Sequence, residues 1–140
     1  MLYRYISDIT IVRKAVTQKG SFAILATEEP IGPQRQVLLM VGKTGRDKIP
    51  LVLGDDSSVS HIVGSVLVRV QDQRLVGVIG FASDHDAQAI RQRYLAGELT
   101  LHLTTRPLTG IELRAGESFS GVSGPATVLT QWEPLQCVLG

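Results

Sequence analysis

The stretch VGSVLVRVQDQRLVGVIGFASDHDAQAIRQRYLAGELTLHLTT, Val63–Thr105, decides the fold. In Ser65–Val70 the residues Val66, Val68 and Val70 fall in phase with one another and out of phase with Ser65, Leu67 and Arg69. A period of two places one set on each face of a strand. Gln71-Asp72-Gln73 is a short polar connection, and Leu75–Phe81 is almost wholly apolar. The pair predicts a hairpin whose second strand is buried on both faces. Gly77 and Gly80 interrupt that strand, marking a bulge or a close backbone approach. On this reading Gly80→Val overpacks or strains the site and costs roughly 1–3 kcal/mol.

A helix follows, expected as the longest in the chain, over Ala87–Ala96. Ser83 is its expected N-cap, with Asp86 three residues on as the partner of a capping box. Asp84 and Asp86 stand where the helix dipole favours negative charge. Ala87, Ile90 and Tyr94 share one face, with Leu95 at its margin. Burying Ile90, Tyr94 and Leu95 contributes about 1.5–3 kcal/mol each, enough to anchor a helix too short to stand alone. Gly97 is the expected left-handed stop. Leu99, Leu101 and Leu103 then alternate with Thr100, His102 and Thr104 as a further strand.

Outward from this centre the chain keeps the same texture. Met1–Gln18 has two readings. Ser7 caps a helix carrying Ile9, Val12 and Val16, or the segment is an extended arm leading into a strand. The β-branched run in Ile9–Val12 favours the second. Strands are expected at Ser21–Thr27, Gln36–Val41 and Ile49–Leu53, separated by the Lys19-Gly20 turn, the proline-containing loop Glu28–Gln36 and the polar connection 42–48. Pro107 and Gly110 are expected to bracket a turn before a short strand Ile111–Arg114. Phe119–Pro125 is glycine- and serine-rich, and Thr127–Trp132 and Leu135–Leu139 read as two strands around Pro134. No repeat or linker divides the 140 residues. One domain, 1–140, is expected, with a possible arm over 1–18 and a β-rich core over 19–140.

Composition narrows the function classes. Hydrophobic residues make up 44% and aromatics 5%, so the core is built from Val, Leu and Ile. Fourteen glycines and six prolines favour many short segments, hence a mainly β fold with one main helix, as a β-barrel or closed sandwich. A net charge of +1 without a long charge run argues against nucleic-acid or membrane partners held by a basic field. One cysteine makes an internal disulfide impossible within this chain and fits a reducing compartment. Arg4 and Asp8 interrupt the apolar residues of the N-terminus, which therefore reads as neither a signal peptide nor a membrane span.

Four patterns invite a chemical reading, and each has a plainer one. Gly42-Lys43-Thr44 lacks the upstream glycine of a phosphate loop, Leu38 and its neighbours being bulky, and no helix start follows it. Gly121-Val122-Ser123-Gly124-Pro125 has neither the spacing nor the strand-to-helix context of a nucleophile elbow. His61, His85 and His102 show no metal-ligand spacing, and no cysteine cluster accompanies them. Asp55-Asp56, before Ser57-Ser58, reads as a solvated turn rather than a cation site. No metal and no cofactor is expected.

The order of several segments carries a resemblance. Ile49-Pro50-Leu51-Val52-Leu53-Gly54-Asp55-Asp56 is followed by Ile62-Val63-Gly64, the Leu75–Phe81 strand and the helix ending in Ala96-Gly97-Glu98-Leu99. Trp132-Glu133-Pro134-Leu135-Gln136-Cys137-Val138-Leu139 comes last. This resembles the prohead protease family of tailed bacteriophages, whose fold is related to the herpesvirus assemblin proteases, and the resemblance covers roughly Gly20 to Leu139. That family has a proline-rich strand leading to an Asn-His-Asp turn with an Ile-Gly after it. It also has a helix ending in Gly-x-Leu, a Ser-x-Gly-Phe strand, and a late strand with a Glu-x-Ser-Leu-Val-like pattern. Its catalytic histidine falls on Asp55. Its serine, six residues past the helix-ending glycine, falls on Leu103, or on Thr104 if the register slips by one.

Leucine has no nucleophilic atom, and aspartate, with a reference pKa of about 3.9 against about 6.5 for histidine, is poorly matched to deprotonating a hydroxyl at neutral pH. Losing one member of such a triad costs on the order of 10⁴–10⁶ in turnover. The resemblance with these losses implies a non-enzymatic phage head protein without catalytic residues, decorating or cementing the capsid shell or assisting its assembly. Its partner would be the major capsid protein, with a possible homo-oligomer on the capsid lattice. Its location would be the virion, and the host cytoplasm during assembly. The alternative is a divergent active prohead protease using Thr104 or a serine, with His61 or His102 as base. The arm Met1–Ser7, with Leu2, Tyr3 and Tyr5, and the loop Glu28–Gln36 are the expected contact surfaces.

Overall fold

A computed structural model describes the backbone of residues 3–5 and the whole of residues 10–54 and 61–140. The strands are β1 (Tyr3–Tyr5), β2 (Ile11–Lys14), β3 (Thr17–Lys19), β4 (Phe22–Thr27), β5 (Gln36–Leu38), β6 (Lys48–Leu53), β7 (His61–Gln71) and β8 (Arg74–Phe81). After helix α1 (His85–Leu95) come β9 (Leu101–Leu113), β10 (Ser118–Phe119), β11 (Val122–Ser123) and β12 (Ala126–Leu139). The fold is mainly β with one α-helix among the described residues, as composition and periodicity predict.

Hydrogen bonding follows the order β1-β9-β12-β6-β7-β8-β4-β3, with β2 also on β9 and β5 also on β12. The sheet curls into a half-barrel. Its two ends are bridged by Ile11–Lys19, which pairs with β9 through β2 and with β4 through β3. At the bend the Ala15 amide donates to Leu101 O (2.9 Å) and the Val16 amide to Ile24 O (2.8 Å). Gln18 ties the seam from its side chain, donating to Leu99 O at 2.9 Å and accepting from the Leu101 amide at 2.7 Å. The β-branched segment Ile11–Val12 is thus strand, and the helical reading of the N-terminal region does not hold there.

The central hairpin forms as expected, with Val66 paired to Ile79 and Val70 to Leu75. Its second strand is covered on both faces only over Leu75–Gly77, because Val78 is 50% exposed on the outer face. Gly80 also has room: an added Cβ there meets only Ser65 O, at 3.9 Å. Close approaches lie at Gly77, where a Cβ would fall 2.9 Å from Leu25 Cδ1 and from Val66 Cγ1, and across the ladder at Gly64, where it would fall 2.0 Å from Gly80 O. The expected overpacking at Gly80→Val therefore belongs to Gly64 and Gly77.

Helix α1 spans His85–Leu95, beginning two residues before and ending one before the expected Ala87–Ala96, and its cap lies one residue later than expected. Asp84, not Ser83, is the N-cap: its backbone is extended (φ −69°, ψ 161°) and its carboxylate accepts from the Ala87 amide at 3.1 Å. At the far end Gly97 (φ +79°) allows its own amide to reach Tyr94 O and the Glu98 amide to reach Arg93 O, both at 3.0 Å. That pair of bonds satisfies carbonyls the last turn would otherwise leave open. Ala87 and Tyr94 are buried, Ile90 is half-buried against the core, and Tyr94 meets Phe81 ring to ring at 5.8 Å. Leu95 is 47% exposed and does not anchor the helix.

Two predicted breaks are absent and one strand is shorter. β9 runs through Pro107 and Gly110 without a turn, and β12 runs through Pro134 as a single strand. Gln36–Val41 is a three-residue strand that passes into a 3-10 turn at Met40–Gly42. The prolines sit at irregularities of the β9–β12 ladder: Gln131 opposes Thr109 but Trp132 opposes Pro107, and Pro134 opposes Thr105 but Gln136 opposes Thr104. Proline lacks the ladder donor, and an offset in pairing is where a strand tolerates that loss. Skipping Leu108 also inverts β9, since a one-residue shift exchanges the two faces. Leu101 and Leu103 face the main core, whereas Ile111 and Leu113 join a second cluster with Val37, Leu39 and Val128.

Candidate functional site

The position assigned by resemblance to a catalytic serine is interior. Leu103 is fully buried, and its neighbours across the sheet are Arg13 on β2 and Cys137 on β12. Asp55 and Asp56 lie outside the described residues. Thr104 and His102 point to the opposite face, where both line an open depression of about 550 Å³ with Thr10, Val12, Gly54, Gln136, Val138 and Gly140. Their Cα atoms, two strand residues apart, are about 7 Å from each other. His61 is not brought to this place. It opposes Leu53, which opposes Leu139, which opposes Leu101, so three inter-strand steps separate it from β9. At about 4.8 Å per step that is roughly 14 Å, far beyond hydrogen-bond reach.

The remaining patterns resolve into ordinary structure. Lys43 donates to Asp47 at 2.6 Å and holds its carboxyl below the usual range, first through that hydrogen bond and then through its charge. Thr44 contacts Trp132 O, and strand β6 follows rather than a helix. Ser123 lies in the two-residue ladder of β10 and β11, exposed and opposite Ser118. His85 is the first residue of α1 and exposed. Among the described residues no three His, Cys, Asp or Glu side chains come together as metal ligands. No helix among them is long and apolar enough to cross a membrane.

Two features of the surface and interior were not singled out in the sequence. The first is an apolar row across the outer face of the hairpin. Lys48 opposes Leu67, Leu67 opposes Val78, Val78 opposes Phe22, and Phe22 opposes Lys19. Leu67, Val78 and Phe22 are 55%, 50% and 49% exposed and line a shallow depression of about 540 Å³, with a lysine at each end of the row. The period-two signal was present at Leu67 and Val78, but an apolar residue on an outer face becomes visible only when strand neighbours are known.

The second is Arg13. It is 5% exposed, and its Nε, Nη1 and Nη2 have no hydrogen-bond partner among the described residues. Burial alone lowers its guanidinium to about 10, still well above neutrality, so the charge remains. In the sequence Arg13 stands in phase with Ile11 and Ala15, a charged residue at an inward strand position, and that phase was the available signal.

Comparison of the chain with protein-family models, with curated proteins and with solved structures gives no match.

Proposed function

We propose that this chain acts by binding, as a non-catalytic structural protein of a phage head whose partner is the major capsid protein. The observation that carries the non-catalytic part is Leu103: the position matched to the nucleophile holds a side chain without one, packed at zero exposure in the core. The phage setting rests on the sequence resemblance. The lysine-bracketed row Leu67–Val78–Phe22 supports a binding role, since neighbouring exposed apolar side chains on a sheet face are the usual material of a protein contact. The loop Glu28–Gln36 remains a second candidate surface, with Ile31 exposed at 37%. The arm is engaged differently from the expectation of a free contact surface: the backbone of Tyr3–Tyr5 already pairs with Gly110–Glu112 of β9.

A second reading has one observation in its favour. His102 and Thr104 face the same depression, as a base and a nucleophile must. The experiment that separates the readings uses purified protein with assembled heads and with capsid and scaffold proteins. The binding reading expects co-sedimentation with heads, loss of it in Phe22→Ser/Leu67→Ser, and no cleavage. Cleavage abolished by Thr104→Ala establishes the protease instead.

A further inference from the structure

Arg13 reaches inward from the strand that bridges the half-barrel, yet it also lines a depression open to the surface. The other walls are Ile11, Val12 and the segment Ile31–Gln34 with Gln36, around about 290 Å³. A buried charge without a partner costs several kcal/mol, which is why such groups are nearly always paired. Nothing else on these walls is ionisable, and no described carboxylate bonds to the guanidinium. One positive charge, two glutamine side chains and apolar walls form a distinct recognition set.

We propose that this depression is a binding site for a single carboxylate group, carried either by a small organic acid or by a polypeptide. The site is independent of the head-protein reading and stands on its own geometry. A guanidinium presents a planar fork that matches the two oxygens of a carboxylate. A carboxylate carries the one negative charge that cancels Arg13, whereas a phosphate dianion would leave charge uncancelled in a partly apolar site. Gln34 and Gln36 supply amide donors for the lone pairs that Arg13 does not engage. The volume lies just below the roughly 300–1,000 Å³ of drug-sized pockets, which suits a small acid or one side chain. The Arg13 nitrogens are covered, and the side chain's rotatable stem allows the head to turn towards an entering carboxylate.

The test is thermal unfolding of the full chain at constant ionic strength with butyrate, inorganic phosphate or chloride. It is accompanied by fluorescence polarisation with a short peptide bearing a free C-terminal carboxylate and with its amidated form. The expected result is a saturable rise in Tm of several degrees with butyrate, smaller with phosphate and absent with chloride. Arg13→Met abolishes it, and Arg13→Lys weakens it by about tenfold or more in apparent Kd. Gln34→Glu, which leaves the interior untouched and adds a like charge at the wall, weakens it at least fivefold and decides the matter if Arg13→Met does not fold. Binding of the free-carboxylate peptide but not its amide, with no butyrate effect, assigns the site to a polypeptide carboxylate. The reverse assigns it to a small acid. The proposal is overturned if no carboxylate probe binds, if phosphate outperforms butyrate, or if Arg13→Met responds like the parent. It is also overturned if Asp8→Asn or Asp55→Asn destabilises the parent but not the Arg13→Met background, since the chain would then supply its own carboxylate.

Discussion

The two ends of the β9–β12 ribbon are built from the same pair of strands and hold different kinds of core. At one end Leu101, Leu103, Cys137 and Leu139 face an interior that also receives side chains from β4, β6, β7, β8 and α1. At the other, Val37, Leu39, Ile111, Leu113 and Val128 form a small cluster covered by Phe119 and Val122 from the β10–β11 region. The difference comes from the pairing offset at Pro107–Thr109, after which β9 turns its other face to the main core. One strand thereby serves two cores, and a bulge that looks like a defect in the ladder is what makes the second possible.

Trp132 joins the two. It is fully buried in the main cluster, and its Nε1 donates to Leu39 O of the second at 2.8 Å. Trp132→Ala should have the largest effect of any change discussed here, about 3–5 kcal/mol from lost packing. Urea unfolding gives the size, and hydrogen exchange gives the reach. Amides of β5 should lose protection together with those of β6, and loss confined to one end would break the picture of a shared joint. Trp132→Phe, which keeps an aromatic ring and removes only the donor, should cost less.

The ends themselves differ in depth. Leu103→Ala opens a cavity in a core walled on all sides and is expected to cost roughly 2–5 kcal/mol, at the upper part of that range. Ile111→Ala removes a side chain of similar size from a five-residue cluster that can collapse onto it, so its cost should fall at the lower part. Equal losses in urea midpoint at unchanged m-value would show that the second cluster is packed as rigidly as the first.

This contrast also explains what could be read in the sequence. The central hairpin, helix α1 and the strand after it were legible because each has a clean period and a local stop signal. Pro107, Gly110 and Pro134 were misleading, because turn residues signal a turn unless a partner strand absorbs them in an offset, and the residue opposite Pro107 is Trp132, 25 positions further along the chain. The interior position of Leu103 followed from its alternation with His102 and Thr104. The placement of Thr104 with His102, and the distance of His61, required strand order. Arg13 escaped notice because a charged residue beside Lys14 reads as solvated until the inward phase of β2 is known.

Only the main core contains a thiol, and that gives a pH signature. Burial pushes the Cys137 thiol up to about 12, from 9.0 for an ordinary one. The folded chain keeps a proton that the unfolded chain releases, so this stability is complete below pH 9 and is lost as pH rises towards 12. Arg13 works in the opposite sense: its lowered value, about 10 against 12.5, returns stability only above about pH 10. Burial also raises the Tyr94 hydroxyl above its ordinary 10.0, so the interval from pH 9 to 10 is read as a difference between two proteins that both carry Tyr94. The parent chain should lose about 1 kcal/mol across it relative to Cys137→Ala. Parallel pH curves for the two would mean that the thiol is reached by water in the folded state.

The smallest effect concerns the helix, which touches only one of the two ends. Ala87 and Tyr94 of α1 belong to the main cluster, and no residue of the helix belongs to the second. Asp84 holds the start of α1 by accepting from the Ala87 amide, and with Asp86 it places negative charge at the positive end of the dipole. Asp84→Ala leaves that amide without its side-chain acceptor, at a cost of about 1 kcal/mol. Ser83→Ala removes a hydroxyl from the residue before the cap and should stay within about 0.5 kcal/mol, as an exposed substitution without a structural partner. The pair distinguishes the cap in the structure from the one the sequence pattern favoured. Its reach sharpens the contrast between the two cores, because fraying the first turn loosens Ala87 over the main interior and leaves Ile111, Leu113 and Val128 as they were. Hydrogen exchange in Asp84→Ala should therefore rise in α1 and the adjoining strands β7 and β8, while β5 and the Ile111–Leu113 segment keep their protection. A rise at both ends would mean that the helix stabilises the ribbon as a whole, and that the two cores unfold as one.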